Sequence, residues 1–220
     1  MSGLLITIDG PAGAGKTTVS KKLAARLEYR YVDTGALYRG VALAAKEKGV
    51  AVDDDEGLRH LCDGLHLDFA VVAGESRLFL GDRDISGQIR TNEMSMMASA
   101  VSARPVVREF LLGLQRRLGL EKNVVVEGRD MGTVVFPDAD VKFFLDASVK
   151  ERARRRYHDP AVKEQLPLEQ IEADIQQRDE NDRNRANAPL KAADDAILLD
   201  STGLSVEEVI EKMLIRIREA

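Results

Sequence analysis

Short apolar runs alternate with amphipathic stretches along most of this chain. Leu4-Leu5-Ile6-Thr7-Ile8 is an apolar run closed by Asp9, and it reads as a buried parallel strand. Residues 16–28 follow, with Val19, Leu23, Ala24 and Leu27 at helical spacing and lysines between them. Tyr29-Arg30-Tyr31-Val32 predicts a second strand that ends in the turn residues Asp33-Thr34-Gly35, and residues 35–48 predict a helix up to Gly49. Residues 123–127, 141–145 and 196–199 are three further β runs. About five β runs separated by helices predict an α/β fold, a doubly wound three-layer core around a parallel sheet with right-handed crossovers. A final helix starts after Ser205, where Glu208 completes a capping box.

Two regions break the alternation. Residues 65–92 hold β-like runs at 67–72 and 77–80 with a turn at Gly81-Asp82, which predicts a small antiparallel insert. A long helical stretch is expected from about 92 to 118. Residues 150–188 are helical and densely charged, in two pieces divided by His158-Asp159-Pro160. The expected organisation is a single domain with its core at about 1–64, 93–149 and 189–220, an insert at about 65–92 and a lid-like segment at about 150–188.

Composition narrows the picture. With 220 residues and 44% hydrophobic content, the chain suits one compact unit with a sizeable core. The net charge of −5 supplies no basic field for nucleic acid. No apolar run approaches the ~20 residues needed to span a membrane, and no leader pattern opens the chain. The lone Cys62 excludes an internal disulfide, reads as a small buried hydrophobe and suits a reducing cytoplasm. His60, His66 and His158 lack the neighbours of a zinc site. Asp53-Asp54-Asp55-Glu56 reads as an acidic helix start.

The strongest chemistry lies at residues 10–17. Gly10-Pro11-Ala12-Gly13-Ala14-Gly15-Lys16-Thr17 matches G-x-x-x-x-G-K-[ST] between a strand and a helix. Gly10, Gly13 and Gly15 let the backbone turn and approach a polyphosphate, and successive amides, that of Ala14 included, face one concavity at a helix start. Lys16 reaches the β- and γ-phosphates, and the Thr17 hydroxyl ligates Mg2+. Thr18 is grouped with the loop as an ordinary first-turn residue.

Such a loop specifies only a nucleotide phosphate, so the remaining polar clusters must specify the reaction. Ligands of open α/β sheets bind beyond the carboxyl ends of the strands. Two clusters fall there: Asp33 to Arg39 after the second strand, and Gly128-Arg129-Asp130-Met131-Gly132-Thr133 after 123–127. A third, Arg178, Asp182 and Arg185, is spaced i, i+4, i+7 on one helix face. A fourth, Arg152, Arg154, Arg155 and Arg156, holds four arginines in five positions, some facing solvent and some able to close over ATP. Many arginines beside a phosphate loop suit phosphoryl transfer, where positioning and charge neutralisation dominate. If the acceptor is itself a phosphate, its attacking oxygen is already ionised and no strong base is required.

These motifs resemble the bacterial-type cytidylate kinase family over essentially the whole chain. The matching segments are ITIDGPAGAGKTT, VDTGALYR, DISGQIRT, EGRDMGTVVFPDADVKFFLDAS and RDENDRNRANAPL. The resemblance implies a P-loop nucleoside monophosphate kinase fold with a parallel core, a monophosphate-binding insert and a helical lid. It implies transfer of the γ-phosphoryl of MgATP to CMP or dCMP, by a cytoplasmic monomer. Carried across by motif, Lys16, Arg129 and Arg185 are catalytic; Gly10, Gly13, Ala14, Gly15, Lys16, Thr17 and Thr18 bind ATP, with Thr17 on Mg2+. Arg39, Arg129 and Arg185 surround the acceptor phosphate, Arg178 and Asp182 face the sugar and nearby phosphate, and Ser99, Arg108 and Asp130 read cytosine. Thr34 stands where some relatives carry a serine.

Overall fold

The computed structural model describes residues 3–159 and 166–219. In chain order the first half forms β1 (Leu5–Asp9), α1 (Lys16–Leu27), β2 (Arg30–Asp33), α2 (Thr34–Lys48), α3 (Asp55–Asp63), β3 (Leu67–Val72), β4 (Glu75–Leu80), β5 (Arg83–Asp84), α4 (Asn92–Ser102) and α5 (Pro105–Gly119). The second half forms β6 (Val124–Gly128), β7 (Val141–Asp146), α6 (Val149–Tyr157), α7 (Leu168–Asn184), β8 (Ile197–Asp200) and α8 (Val206–Glu219). Two compact units divide the chain. One comprises the described residues through Asp33, Arg116–Asp159 and those from Leu166 onward; the other is Thr34–Gln115.

The first unit is built on a parallel sheet of five strands in the order β2-β6-β1-β7-β8. Its inner strands are covered on both faces, so they need unbroken apolar runs: Ile6, Ile8, Val124, Val125 and Val126 are wholly buried. The edge strand β8 alternates instead. Ile197 and Leu199 pack on the core while Leu198 faces solvent. Val19 and Leu23 of α1 join Val209, Ile210, Met213, Leu214 and Ile217 of α8 against Ile8, Phe143 and Leu145. The expected capping box starts α8: Ser205 N–H donates to the Glu208 carboxylate at 2.8 Å, and Glu208 N–H donates to Ser205 Oγ at 3.3 Å. In the register, Asp9 lies beside Gly128 and Phe144, and Asp33 beside Glu127. The polar ends of β1, β2 and β6 therefore share one edge, the edge where ligands of such sheets bind.

The Thr34–Gln115 unit carries the antiparallel sheet β3-β4-β5. This compact unit is wider than the stretch of 65–92 read from the sequence, because α2, α3, α4 and most of α5 belong to it. Its first hairpin turns at Ala73-Gly74, both at positive φ, and the expected turn at Gly81-Asp82 leads into the short β5. Asp54 caps α3 by accepting from Gly57 N–H, as an acidic helix start should. Cys62 is buried, and burial pushes its thiol up to about 11.

Two expectations need correction. The helical stretch from 92 to 118 is two helices, α4 and α5, broken before Pro105. Proline lacks an amide donor and drives its predecessor, Arg104, out of helical backbone. Arg185 does not continue the face of Arg178 and Asp182: α7 ends at Asn184, and Arg185 leaves in extended conformation. The division expected at His158-Asp159-Pro160 agrees with α6 ending at Tyr157, although Pro160 lies outside the described residues.

Phe143 lies at the centre of this packing and is 1% exposed. Phe143→Ala should cost about 3–5 kcal/mol of stability, read as a lowered urea midpoint. An unchanged midpoint would mean the core closes over the missing ring.

Candidate active site

The loop between β1 and α1 follows the expected course, but its glycines answer to protein neighbours. At Gly10, φ is +150° and a Cβ would sit 2.0 Å from the Leu145 carbonyl oxygen. At Gly13, φ is +76° and a Cβ would approach Arg152 Cβ at 3.0 Å. Both positions demand glycine because the loop is pressed onto β7 and α6.

Two arginines of α6 hold the loop's carbonyls. Arg152, 2% exposed, donates to the Ala12 carbonyl at 2.9 Å and to the Ala147 carbonyl at 2.9 Å. Arg155 donates to the Ala14 carbonyl at 3.1 Å and to Ser201. In a planar trans peptide the N–H points opposite its C=O. Tying down the Ala12 and Ala14 carbonyls therefore turns the Gly13 and Gly15 amides away from α6. Arg152 also meets Asp179 of α7 at 2.6 Å, an ion pair out of line for a hydrogen bond. Of the four clustered arginines, Arg152 and Arg155 thus brace the loop, and the exposed Arg154 pairs with Glu151.

Lys16 is buried, and its ammonium donates to the Pro11 carbonyl at 2.7 Å. Burial, then the nearby Arg129 and Arg178, bring its pKa down to about 7, against the pull of Glu127 and Asp9. The loop lysine therefore shares one electrostatic site with Arg129, which follows β6, and Arg178 of α7. Thr17 hydrogen-bonds Glu127, and Tyr31 donates its phenolic proton to the same carboxylate. Burial and the neighbouring Asp33 raise the pKa of Glu127. The Thr17 hydroxyl and the carboxylates of Glu127 and Asp33 form an all-oxygen donor set, which fits a small, hard divalent cation. Thr18 is exposed on the first turn of α1.

The arginine clusters converge within the same unit. Arg129 donates from Nε to Asp182 at 3.0 Å, and Arg178 approaches Asp182 at 3.9 Å. Burial works to raise the Asp182 pKa, but Arg129, Arg178 and Arg185 together hold it below the usual carboxylate range. Arg185 lies 3.5 Å from Asp130 and donates to the Ala188 carbonyl. Arg129, Asp130, Arg178, Asp182 and Arg185 are therefore brought together with Lys16. The remaining expected residues lie in the Thr34–Gln115 unit: Thr34 opens α2 and is buried, and Arg39 is half-buried on the same helix. Ser99 and Arg108 are linked through Ser102, whose hydroxyl donates to the Ser99 carbonyl and whose carbonyl accepts from Arg108. The Arg108 guanidinium also lies 5.7 Å from the Tyr38 ring centre.

Sequence reasoning missed Asp9, Glu127 and the π-helical turn Met131–Val135. Asp9 is buried and accepts from the Met131 amide at 2.9 Å and the Gly132 amide at 2.8 Å. A carboxylate at the end of a buried strand was the available signal for both acids. In the turn, the Asp130 carbonyl accepts from Val134 and Val135, and no residue pattern announces such a widened turn.

A strand–loop–helix phosphate cradle at the carboxyl edge of a parallel sheet defines a P-loop α/β protein. Solved structures agree on the fold: a shikimate kinase from Bacteroides thetaiotaomicron matches with a TM-score of 0.51 at 15% identity, covering 98% of each chain. A gluconokinase from Sinorhizobium meliloti matches at 0.52 and 15% identity, over 96% of this chain and 89% of its own. Sequence relatives are more specific. The cytidylate kinase family model matches residues 6–219. The cytidylate kinase of Geobacter sp. strain M21 is 50% identical over 99% of this chain and 94% of its own, and that of Pasteurella multocida is 48% identical over 98% and 96%. The chain belongs to the cytidylate kinase family.

With its pKa near 7, Lys16 is partly neutral at neutral pH, and a phosphate held against it would draw a proton onto it. ATP binding should therefore take up a fraction of a proton and weaken as pH rises above about 7. Calorimetry in two buffers of different ionisation enthalpy reads this directly. Equal heats, or the same uptake in Lys16→Gln, would contradict it.

Proposed function

We propose that this kinase transfers the γ-phosphoryl group of MgATP to CMP or dCMP, giving ADP and CDP or dCDP. One observation supports the reading above all: Lys16 of the phosphate loop feels Arg129 and Arg178, so donor and acceptor cations face a common space. Three arginines and a lysine repel one another there, and two bound phosphate groups would relieve that repulsion. Lys16 and the loop residues Gly10, Gly13, Ala14, Gly15, Thr17 and Thr18 hold the ATP phosphates in this reading. Arg129 and Arg185 neutralise charge on the transferring group, where one well-placed arginine is worth ~10³–10⁵ in rate in related systems. The CMP phosphate attacks in line as an anion, so no histidine base is needed. Mg2+, held by Thr17 with Glu127 and Asp33 beside it, would neutralise the β- and γ-oxygens.

Acceptor recognition follows the same chemistry. Arg178 and Asp182 are assigned to the sugar and nearby phosphate, and Arg39 and Thr34 to the acceptor as well. Asp130 accepts from the cytosine amino group, a donor that uracil lacks, and Ser99 and Arg108 serve as further base contacts. The enzyme is read as a cytoplasmic monomer; no described helix is long and apolar enough to cross a membrane.

The rival enzyme reading is a kinase for UMP or another small acceptor. A nucleotide-dependent switch is a rival of another class, disfavoured by the absence of an N-K-x-D motif and by the otherwise unexplained arginines. ATP-dependent phosphorylation of CMP, dCMP, UMP, AMP and GMP, measured side by side, separates the three. The cytidine nucleotides should be preferred; another preferred acceptor would sink the assignment, and no acceptor-dependent turnover would favour the switch. Asp130→Ala should lower kcat/KM for CMP by about tenfold or more, as expected for a lost charged hydrogen bond. Its ATP affinity should stay within about threefold. Equal damage to both would make Asp130 structural.

A further inference from the structure

We propose that Asp9 is a positioning residue for base selection: by holding the Met131 and Gly132 amides it sets the place of the Asp130 carboxylate. The inference rests on the reading of Asp130 as a base contact. Its basis is geometric. Asp9 ends the central strand, beside Gly128 in the register, and is 4% exposed. One carboxylate oxygen takes the Met131 N–H at 2.9 Å and the other takes the Gly132 N–H at 2.8 Å. These are the two amides that follow Asp130. The carbonyl of the peptide that joins Asp130 to Met131 is held by Val134 and Val135 within the π-helical turn. That peptide unit is thus fixed at both its N–H and its carbonyl, and the anchor of the N–H is Asp9.

Only a carboxylate can serve both amides. An asparagine offers one oxygen and turns its amide group toward the second N–H. The charged groups facing Asp9 are Lys16 at the start of α1 and Asp130 just before the π-helical turn; on the other side its β7 neighbour is the uncharged Phe144. Burial raises the Asp9 pKa to about 6 in spite of the two amides; Asp130 adds to the rise and Lys16 opposes it. Protonation below that value removes one of the two acceptors, as the asparagine does.

A loss of fold lowers the use of every acceptor, whereas a shift of Asp130 lowers the preference for cytosine. The test is therefore the ratio of kcat/KM for CMP to that for UMP. The two substrates' phosphates ionise alike, so their own titration cancels. Asp9→Asn should lower this ratio about tenfold, the size of one misplaced hydrogen bond; any effect through Lys16 on ATP falls on both acceptors alike and cancels in the ratio. In the wild type the ratio should fall as pH drops through about 6, and in Asp9→Asn it should be flat. An unchanged ratio in a folded Asp9→Asn would overturn the proposal. If that variant does not fold, a pH-independent wild-type ratio does so instead. A wild type that prefers another monophosphate overturns the underlying reading, and it is seen before any variant is made.

Discussion

One buried guanidinium ties the catalytic unit together. Arg152 touches the phosphate loop at Ala12, the end of β7 at Ala147 and α7 at Asp179. Removing one partner of a buried ion pair typically costs about 3–5 kcal/mol, because the other charge is left in the interior. The consequence here is positional as well as energetic. The loop carbonyls bonded by Arg152 and Arg155 dictate where the loop amides point. Asp179 stands next to Arg178 and three residues before Asp182, so the same contact places α7. Gly13 belongs to this arrangement too, since a side chain there would collide with Arg152.

Around this brace the charges are arranged in opposition. Lys16, Arg129 and Arg178 lie close enough to depress the lysine, while Asp9 and Glu127 pull it back up. Asp182 is ringed by three arginines, and one of them, Arg185, also meets Asp130. Phosphate groups would complete this set, which is why the site suits transfer between two of them. The carboxylates do separate tasks: Asp9 fixes backbone, Glu127 lies against Thr17 and Tyr31, and Asp130 and Asp182 hold the arginines.

Much of this was legible in the residues. The parallel strands announced themselves as unbroken apolar runs because the inner ones are buried on both faces, and Ser205 with Glu208 marked α8 by its capping chemistry. The phosphate loop was readable because its glycines, lysine and threonine sit at fixed spacing. Other features depend on tertiary contact and carry no local signal. Arg152 and Arg154 look alike in sequence, yet one is buried on the loop and the other is exposed on Glu151. The glycines at 10 and 13 were legible as glycines, but their immediate neighbours, Leu145 and Arg152, come from far along the chain. Asp9 read as the end of a strand, and only the folded chain brings Met131 and Gly132 to it. Pro105 did carry a local signal for the break between α4 and α5, which the long amphipathic pattern obscured.

The most direct test concerns the brace itself. Arg152→Met combined with Asp179→Leu removes both charges together, leaving no buried ion unpaired. Equilibrium binding of MgATP to this double variant, alongside its thermal unfolding, separates loop geometry from stability. The protein should fold cooperatively and bind MgATP at least about tenfold more weakly, the order expected for lost preorganisation of a few amides. A folded double variant with undiminished ATP affinity would contradict the account.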